Sequence, residues 1–574
     1  MTMNHTTSLG LGAICCAVTL AASCTGAATA QDAPAPDETY LQAAESDMAW
    51  FTEARFGMFV HWGPVSLKGT EIGWSRGGLR RGLPDSMRNE AEAGVPKAEY
   101  DALYQRFDPV NFDPGAWVAI MLSAGMKYLV FTTKHHDGFC MFDSALTDYD
   151  IGATPFKRDI VRELAEACRK AGIKVGWYYS PPDWHHPDYY TEHHERYIKY
   201  LHGQVRELLT NYGKIDIMWF DGLYCTEDKL DSRNLFRMIR SLQPHILINN
   251  RCGLPGDYDT PEQTIGRYQD TRPWESCITI GTQWAWKPND HIKPLKECIQ
   301  TLVQCAGGDG NLLFNVGPRP DGTIDPEQAG HLKGMGLWLH QYGETVYGTR
   351  GGPYRPGDWG VSTRRGATAY LHILHWPTNE IRLAPMPSTI LSSRLLTAGE
   401  VTVTQTDDAV TIAVPEAYRK DVDTIVVLQL DRPVDGVLLT PSGARSVGKP
   451  TTANNWWDAP AGRTYAPERA TDDDPDTRWA SAAGTSACWL EVDLGEPVTI
   501  SRASITEFGH RVQAFTIEYR TDPSRPWQQA TTGTTIGPRQ DLTFPPVTAR
   551  YVRLNIAKTT AEPTIYEFRL FGLE

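Results

Sequence analysis

The chain lacks the patterns that usually mark metal or redox chemistry. None of its 11 cysteines forms a CxxC pair, which disfavours zinc-ribbon and thioredoxin-like sites. There is no HExxH pair, the spacing that holds zinc on one helix face. A metal site remains the rival interpretation because His185, His186, His193 and His194 add further imidazoles. The spacings favour an active site without a metal and catalysis without a cofactor.

Basic runs and membrane-length apolar stretches are also missing. The net charge of −14, with scattered Lys and Arg, argues against nucleic acid or an anionic membrane as the main partner. Leu9 to Cys24 is apolar but too short to cross a bilayer comfortably, so no integral membrane span is predicted. Ala28-Thr29-Ala30 is an A-x-A cleavage pattern, although no positive residue opens the segment. We therefore expect an exported protein, periplasmic or extracellular.

A lipid anchor is the alternative form of export. Ala21-Ala22-Ser23-Cys24 resembles a degenerate lipoprotein cleavage site, which would make Cys24 the lipidated residue of an outer-membrane lipoprotein. The cysteines after residue 30 are spread along the predicted strands and helices, which indicates buried free thiols. One or two disulfides are the alternative in an oxidising compartment.

The length of 574 residues predicts two to four domains. After a signal peptide over 1–30 and a linker over 31–44, residues 45–348 alternate short apolar runs with amphipathic stretches, as repeated βα units do. Seven such runs indicate an irregular (β/α)8-like barrel. Residues 349–445 read as an antiparallel β-sandwich, and 455–574 is again all-β. The runs predicted as barrel strands are Phe56–His61, Tyr128–Lys134, Lys174–Ser180, Ile215–Asp221, Ile246–Arg251, Cys277–Gly281 and Leu312–Val316.

Several of these runs end in chemically active residues. Because a barrel gathers the carboxyl ends of its strands at one face, these residues are expected to converge there. Asp221 closes a strongly apolar run, where a carboxylate is costly unless it is used or paired. It can attack the anomeric carbon of a sugar, or it can simply cap the next helix. The other strand ends carry His61, His135, His136, Tyr178 and Arg251.

Two further carboxylates are candidates for the acid/base. Glu262 lies in a Pro-containing loop after Arg251, and Glu275 lies in Trp274-Glu275-Ser276-Cys277. Loops after barrel strands often carry catalytic groups. An exposed loop glutamate without a catalytic role is the alternative for Glu262.

Five ordered blocks resemble glycoside hydrolase family 29, the α-L-fucosidases. They are Phe56-Gly57-Met58-Phe59-Val60-His61-Trp62-Gly63, Thr133-Lys134-His135-His136-Asp137-Gly138-Phe139, Trp219-Phe220-Asp221-Gly222, Trp274-Glu275-Ser276-Cys277 and Gly310-Asn311-Leu312-Leu313-Phe314-Asn315-Val316-Gly317-Pro318. The resemblance implies an exo-acting retaining hydrolase that removes terminal α-L-fucose from fucosylated glycans by double displacement.

The resemblance also implies roles for individual residues. Asp221 would be the nucleophile and Glu262 the acid/base, with Glu275 as its substitute. The implied sugar contacts are His61, His135, His136, Tyr178 and Arg251; Trp74 and Trp219 would wall the pocket, and Trp284 would cover the methyl group of fucose. The block Glu71-Ile72-Gly73-Trp74-Ser75 departs from the usual Glu-Trp-Tyr form of the family.

The last part of the chain resembles a coagulation-factor type C (discoidin-like) module, with the jelly-roll fold shared by carbohydrate-binding module family 32. The resemblance rests on Ala470 to Trp479, Trp489 to Gly495, Ala549 to Leu554 and Glu567-Phe568. It implies a structural calcium near the acidic loop, whose oxygen ligands suit that ion; a solvated acidic loop is the alternative.

Two other functions stay open. A glycosidase of the same fold could act on a related sugar such as galactose, and a non-catalytic carbohydrate-binding protein could use both domains. An intact Asp221 disfavours the second. The sequence carries no prediction of the oligomeric state.

Overall fold

The computed structural model describes residues 38–88, 94–222, 224–266, 268–434, 436, 438, 444–458, 464–474 and 477–572. The predicted signal peptide, the anchor at Cys24 and the first half of the 31–44 linker lie outside the described residues. Among the residues that are described, no helix is both long and apolar enough to cross a membrane.

A parallel sheet forms the centre of the first domain. Its strand order is β5-β4-β3-β2-β1-β7-β6, and every paired neighbour is parallel. Nearly every strand residue is buried, as expected for a parallel sheet covered on both faces. The strands are β1 (Phe56–Val60), β2 (Tyr128–Lys134), β3 (Lys174–Tyr179), β4 (Ile217–Phe220), β5 (Leu247–Ile248), β6 (Glu275–Thr279) and β7 (Asn311–Val316).

An irregular segment bridges the gap between β5 and β6. Single parallel bridges join Asn249 to Tyr258, Asp259 to Trp274 and Glu262 to Cys277. Residues 258–262 therefore occupy the place of an eighth strand. The segment Tyr258-Asp259-Thr260-Pro261-Glu262 is polar and contains a proline that cannot donate a ladder hydrogen bond, which explains the irregular pairing. The expected irregular barrel is confirmed.

Helices cover the sheet, and their ends follow local sequence signals. Asp113 accepts a hydrogen bond from the Gly115 amide at the start of α4, and Gly125 ends that helix with φ of 82°. Asp159 caps α5 through the Arg162 amide. The helices are α1 (Glu45–Ala54), α2 (Asp85–Arg88), α3 (Lys97–Asp101), α4 (Pro114–Ala124), α5 (Ile160–Lys170), α6 (His194–Thr210), α7 (Glu227–Leu230), α8 (Ser232–Leu242), α9 (Leu295–Gly307) and α10 (Pro326–Tyr342).

An antiparallel β-sandwich follows the barrel. One sheet has the order β12-β15-β10-β9-β8 and the other β11-β14-β13. Leu371, Ile412 and Val426 belong to the apolar core that they share. The strands are β8 (Arg350–Gly351), β9 (Gly360–Arg365), β10 (Thr368–Ile373), β11 (Glu380–Leu383), β12 (Ile390–Leu395), β13 (Thr402–Gln405), β14 (Val410–Ala413) and β15 (Thr424–Leu430).

The C-terminal module is antiparallel throughout, as expected for a jelly-roll. Its order is β17-β22-β18-β21-β19-β20, with β16 paired to β18. Trp479, Phe515 and Phe568 lie in its separate core. The strands are β16 (Thr451–Ala453), β17 (Trp479–Ala480), β18 (Cys488–Glu507), β19 (Val512–Arg520), β20 (Gln528–Gly533), β21 (Gln540–Thr559) and β22 (Thr564–Phe571). The eight cysteines of the described residues are free, and all except Cys225 are buried.

Candidate active site

A pocket lies at the carboxyl ends of the parallel strands. It brings together every residue that the sequence predicts for the site except Glu275. The sequence did not predict two further lining residues, Phe59 and Cys277. The predicted residues that line the pocket are His61, Trp74, His135, His136, Tyr178, Trp219, Asp221, Arg251, Glu262 and Trp284.

Asp221 follows the last residue of β4 and is 9% exposed. Its Oδ2 accepts a hydrogen bond of 2.8 Å from the Tyr178 hydroxyl, and its Oδ1 lies 3.2 Å from Nη1 of Arg251. Both contacts stabilise the charged carboxylate and fix its orientation. Burial and the adjacent Asp221 raise the pKa of Tyr178, so this hydroxyl remains a donor.

Gly222 permits a close approach behind the carboxylate. Its amide donates to the Arg251 carbonyl at 2.9 Å, and an added Cβ would lie 2.1 Å from that same oxygen. A side chain at this position would therefore push apart the two strand ends that carry Asp221 and Arg251.

The tautomer of His61 follows from its neighbours. Nδ2 of Asn315 donates to the Trp284 carbonyl at 2.8 Å, which leaves Oδ1 of Asn315 facing Nδ1 of His61 at 2.7 Å. Since that oxygen can only accept, Nδ1 of His61 carries the proton and Nε2 is an acceptor. Burial lowers the pKa of His61 to about 4, so the ring is neutral at neutral pH.

The tautomer of His136 also follows from its hydrogen-bond partners. Ser180 donates its hydroxyl proton to the Pro182 carbonyl at 2.7 Å, so it accepts from Nδ1 of His136 at 2.5 Å. Nε2 of His136 then offers a lone pair 3.5 Å from Oδ2 of Asp221 and has no hydrogen-bond partner within the described part of the chain. Burial lowers the pKa of both His135 and His136, so both rings are neutral. These imidazoles can accept hydrogen bonds from sugar hydroxyls.

The same residues are the candidate metal ligands. One ring nitrogen each of His135 and His136 and one oxygen of Asp221 lie within 4.8 Å of one another. Imidazole and carboxylate suit zinc, but the Arg251 guanidinium already supplies a positive charge next to Asp221. A metal ion bound there would have to share Asp221 with this guanidinium.

Arg251 joins the two candidate catalytic carboxylates. Its Nη1 donates to Oε2 of Glu262 at 2.7 Å in addition to its contact with Asp221. Its Nε and Nη2 are held by the hydroxyl and carbonyl of Thr260, both at 2.8 Å, and its guanidinium lies 4.9 Å from the Trp219 ring centre. Glu262 lies at the pocket mouth with its side chain 42% exposed.

Glu275 lies at the opposite end of the sheet. It is the first residue of β6 and has no solvent exposure. It accepts hydrogen bonds from the Tyr128 hydroxyl at 2.5 Å and from Nε1 of Trp219 at 3.0 Å. Burial raises the pKa of Glu275 to about 7. This carboxyl group supports the back of Trp219 and does not line the pocket.

Aromatic rings form the walls. Tyr178 stacks between His135 and Trp219, with ring centres 5.4 and 5.5 Å away. Trp284 packs on His61 at 4.8 Å. Trp74 contacts His136 edge-on at 5.7 Å. Flat rings of this kind pack well against the apolar faces of a pyranose.

A second polar cluster lies in the C-terminal module. Glu567 is 1% exposed, and neither of its carboxyl oxygens has a hydrogen-bond partner among the residues that the structure describes. Nε of Arg569 lies 3.7 Å from Oε2 of Glu567 and 2.8 Å from Oδ1 of Asp473, and Asp472, Asp473 and Asp474 lie close enough to act on the charge of Glu567. A buried oxygen pair next to further carboxylates fits the hard-oxygen ligand set that calcium prefers.

The strand ends of this barrel gather two carboxylates, a shared arginine and aromatic walls around one pocket. This is the arrangement of a glycoside hydrolase. A family model for α-L-fucosidase matches residues 21–344, more than half of the chain, and one for the F5/8 type C domain matches residues 450–568. The chain belongs to the α-L-fucosidase family, glycoside hydrolase family 29, and carries an F5/8 type C domain.

Relatives and solved structures agree with this assignment. Human tissue α-L-fucosidase is 30% identical over 384 residues, which cover 61% of this chain and 80% of the relative. The structure of α-L-fucosidase isoenzyme 1 from Paenibacillus thiaminolyticus has a TM-score of 0.60 and 37% identity, covering 67% of this chain and 99% of that one. A Bacteroides thetaiotaomicron α-L-fucosidase, solved as a trapped covalent intermediate with 2-fluoro-fucosyl fluoride in a Glu-to-Gln variant, has a TM-score of 0.60 and 28% identity, covering 68% and 97%.

Proposed function

We propose that the enzyme removes terminal α-L-fucose from glycans with retention of configuration, using Asp221 as nucleophile and Glu262 as acid/base. The spacing of these two carboxyl groups carries the proposal. Because Arg251 Nη1 lies 3.2 Å from Oδ1 of Asp221 and 2.7 Å from Oε2 of Glu262, those two oxygens are within about 6 Å of each other. Retaining glycosidases hold their carboxyl groups roughly 5–5.5 Å apart and inverting ones roughly 6.5–9.5 Å.

In the first step Asp221 attacks C1 of the sugar and forms an ester bond. The bond from C1 to the leaving oxygen breaks, and that oxygen takes the proton of Glu262. In the second step water attacks C1, gives its proton to Glu262 and releases Asp221. The covalent intermediate trapped in the Bacteroides relative supports this course.

Arg251 has a specific part in this cycle. Negative charge lies on Asp221 before attack and on Glu262 once the ester has formed. Since one guanidinium nitrogen contacts both carboxylates, the positive charge is adjacent to the anion in both states and need not move. This arrangement supports catalysis without a metal, because the cation is supplied by the chain itself.

The pocket supports exo action on a single terminal sugar. The pocket is enclosed by aromatic walls at the strand ends, which leave the mouth near Glu262 for the leaving group. His61 and His136 offer acceptors to hydroxyls of the sugar, whereas Trp284 offers an apolar face. The A-x-A pattern at residues 28–30 supports export to the periplasm or the medium, where fucosylated glycans would be met.

Comparing Glu262→Ala with Glu275→Ala tests the acid/base assignment. Loss of Glu262 should lower kcat/KM on a natural disaccharide by roughly 10²–10⁴-fold and spare a dinitrophenyl fucoside, whose leaving group needs no proton. Glu275→Ala should affect both substrates alike. The assignment is wrong if Glu275→Ala alone shows the leaving-group dependence.

We also propose that the C-terminal module binds a structural calcium through Glu567 and Asp472. Calcium added to chelated protein should raise the Tm of the module, and Glu567→Gln should abolish this rise. Glu562→Gln, which changes a partly exposed carboxylate of the same module that accepts from the Gly484 amide, is the matched control. An equal rise in the Glu567 variant would contradict this site.

A further inference from the structure

Both backbone polar groups of Trp284 are bound by side chains from other parts of the barrel. Its amide donates to Oε2 of Glu71 at 2.9 Å, and its carbonyl accepts from Nδ2 of Asn315 at 2.8 Å. The next amide, of Ala285, donates to Oε1 of Glu71 at 3.2 Å. A loop residue is seldom fixed at both its donor and its acceptor by distant side chains, so this position is strongly specified.

Glu71 contributes no surface to the pocket, although it lies three residues before Trp74. Its carboxylate accepts a third amide, that of Ile72, at 3.0 Å. Burial raises the pKa of Glu71, and the three backbone donors oppose that rise. All of its observed partners are backbone amides, so its role in the described residues is to hold backbone.

The end of strand β7 packs against the loop that carries Trp284, Ala285 and Trp286. An added Cβ on Gly317 would lie 2.3 Å from the Trp286 amide nitrogen and 2.6 Å from the Ala285 carbonyl carbon. The loop backbone therefore packs directly on the end of β7 with no side chain between them. Asn315, two residues earlier, connects the loop to His61 through its second amide atom.

From these contacts we infer that Glu71 and Asn315 are positioning residues that set sugar specificity by fixing the indole of Trp284 in the pocket wall. The inference rests on the proposed function. A fixed apolar ring beside His61 accepts the methyl group of L-fucose, whereas the hydroxymethyl group of L-galactose would bring an unpaired hydroxyl against it. A loop free to move would tolerate both sugars.

The test is a double-mutant cycle between Glu71 and Trp284. The amide nitrogen in Glu71→Gln would face the N–H of Trp284 or Ala285, so one loop contact is lost without a change in size. We expect KM for nitrophenyl α-L-fucoside to rise about 5- to 20-fold with kcat within about threefold. The preference for this fucoside over nitrophenyl α-L-galactoside should fall about tenfold.

In the Trp284→Ala background, adding Glu71→Gln should change KM and sugar preference less than about twofold, because the ring that Glu71 positions is gone. Glu99→Gln is the control, since this glutamate is exposed and pairs with Lys68 at 2.6 Å. Glu71→Asp keeps the charge but shortens the reach; it should give an intermediate preference and serves as the readout if the Gln variant does not fold.

Equal effects of Glu71→Gln with and without Trp284, or a fall in kcat with unchanged sugar preference, would overturn the inference. Failure of the proposed function is a separate result, because it would appear as full activity after loss of Asp221. An inactive Asp221 variant together with an unchanged sugar preference in Glu71→Gln would remove only the positioning role.

Discussion

Ion pairs occur at both ends of the parallel sheet, but those at the amino end lie away from the pocket, whereas the pair of Arg251 and Asp221 at the carboxyl end lines it. Arg55, just before β1, contacts Asp309 at 2.6 Å, and Arg240 contacts Asp257 at 2.7 Å. At the other end His136 Nε2 has no hydrogen-bond partner in the described chain. Ion pairs at the amino end stabilise the fold, and polar groups at the carboxyl end are placed where a bound substrate would contact them.

The two glutamates associated with catalysis show the same contrast. Glu262 lies at the exposed mouth and shares Arg251 with Asp221, while Glu275 lies buried at the amino end between Tyr128 and Trp219. Their positions in the sequence did not separate the two glutamates, whereas their places at opposite ends of the sheet do. Substitutions at the amino end of the sheet should therefore change the stability of the enzyme more than its activity.

Arg55→Met should give the largest effect on stability. Asp309 keeps only one charged partner, the half-exposed Arg350, and the buried carbonyls of Gly310 and Thr349 lose their donor. The free energy of unfolding should therefore fall by about 3–5 kcal/mol. Urea unfolding followed by tryptophan fluorescence measures the loss. In the folded fraction kcat/KM should stay within about twofold. Lys68→Met, at the surface pair with Glu99, should cost less than about 1 kcal/mol. If Arg55→Met loses activity while its stability is unchanged, the proposed difference between the two ends of the sheet is wrong.

Glu275→Gln should have a smaller effect, visible in the pH dependence of stability. In the folded enzyme the pKa of Glu275 is about 7, above its unfolded value, so the unfolded state loses its proton first. Stability should therefore fall as pH rises from about 4.5 to about 7, by up to about 3 kcal/mol, and then level off. Gln can accept from Trp219 and donate to Tyr128, which keeps both contacts.

Unfolding midpoints of the barrel at about pH 5 and pH 7 measure this dependence. The difference between the two should be smaller in Glu275→Gln than in the parent enzyme. The same difference in both proteins would mean that Glu275 does not carry it.

Much of the site was predictable because parallel strands bring their carboxyl ends to one face. An apolar run that ends in Asp221, or in His135 and His136, can be recognised in the sequence, and the fold then places these residues together. The order of five sequence blocks added the sugar class. Glu262 was reached only through that resemblance, since its own surroundings look like an ordinary loop.

Other features of the site could not be predicted from the sequence. Residues 258–262 take the place of a strand without being apolar, so hydrophobic periodicity missed them. Phe59 and Cys277 read as core residues, yet they line the pocket. Asn315 offered one usable clue, a polar side chain within the buried run of β7, because such a residue needs a partner. Its partners, His61 and Trp284, are far away in sequence and could not be deduced.

The most direct test replaces the nucleophile and supplies another. Asp221→Gly should lower kcat for nitrophenyl α-L-fucoside on the order of 10⁴-fold or more at an unchanged Tm. Added azide should restore turnover and yield fucosyl azide of β configuration, because the anion enters from the face that the carboxylate has vacated. Full residual activity without azide, or a product that contains no fucosyl azide, would contradict the assignment of Asp221.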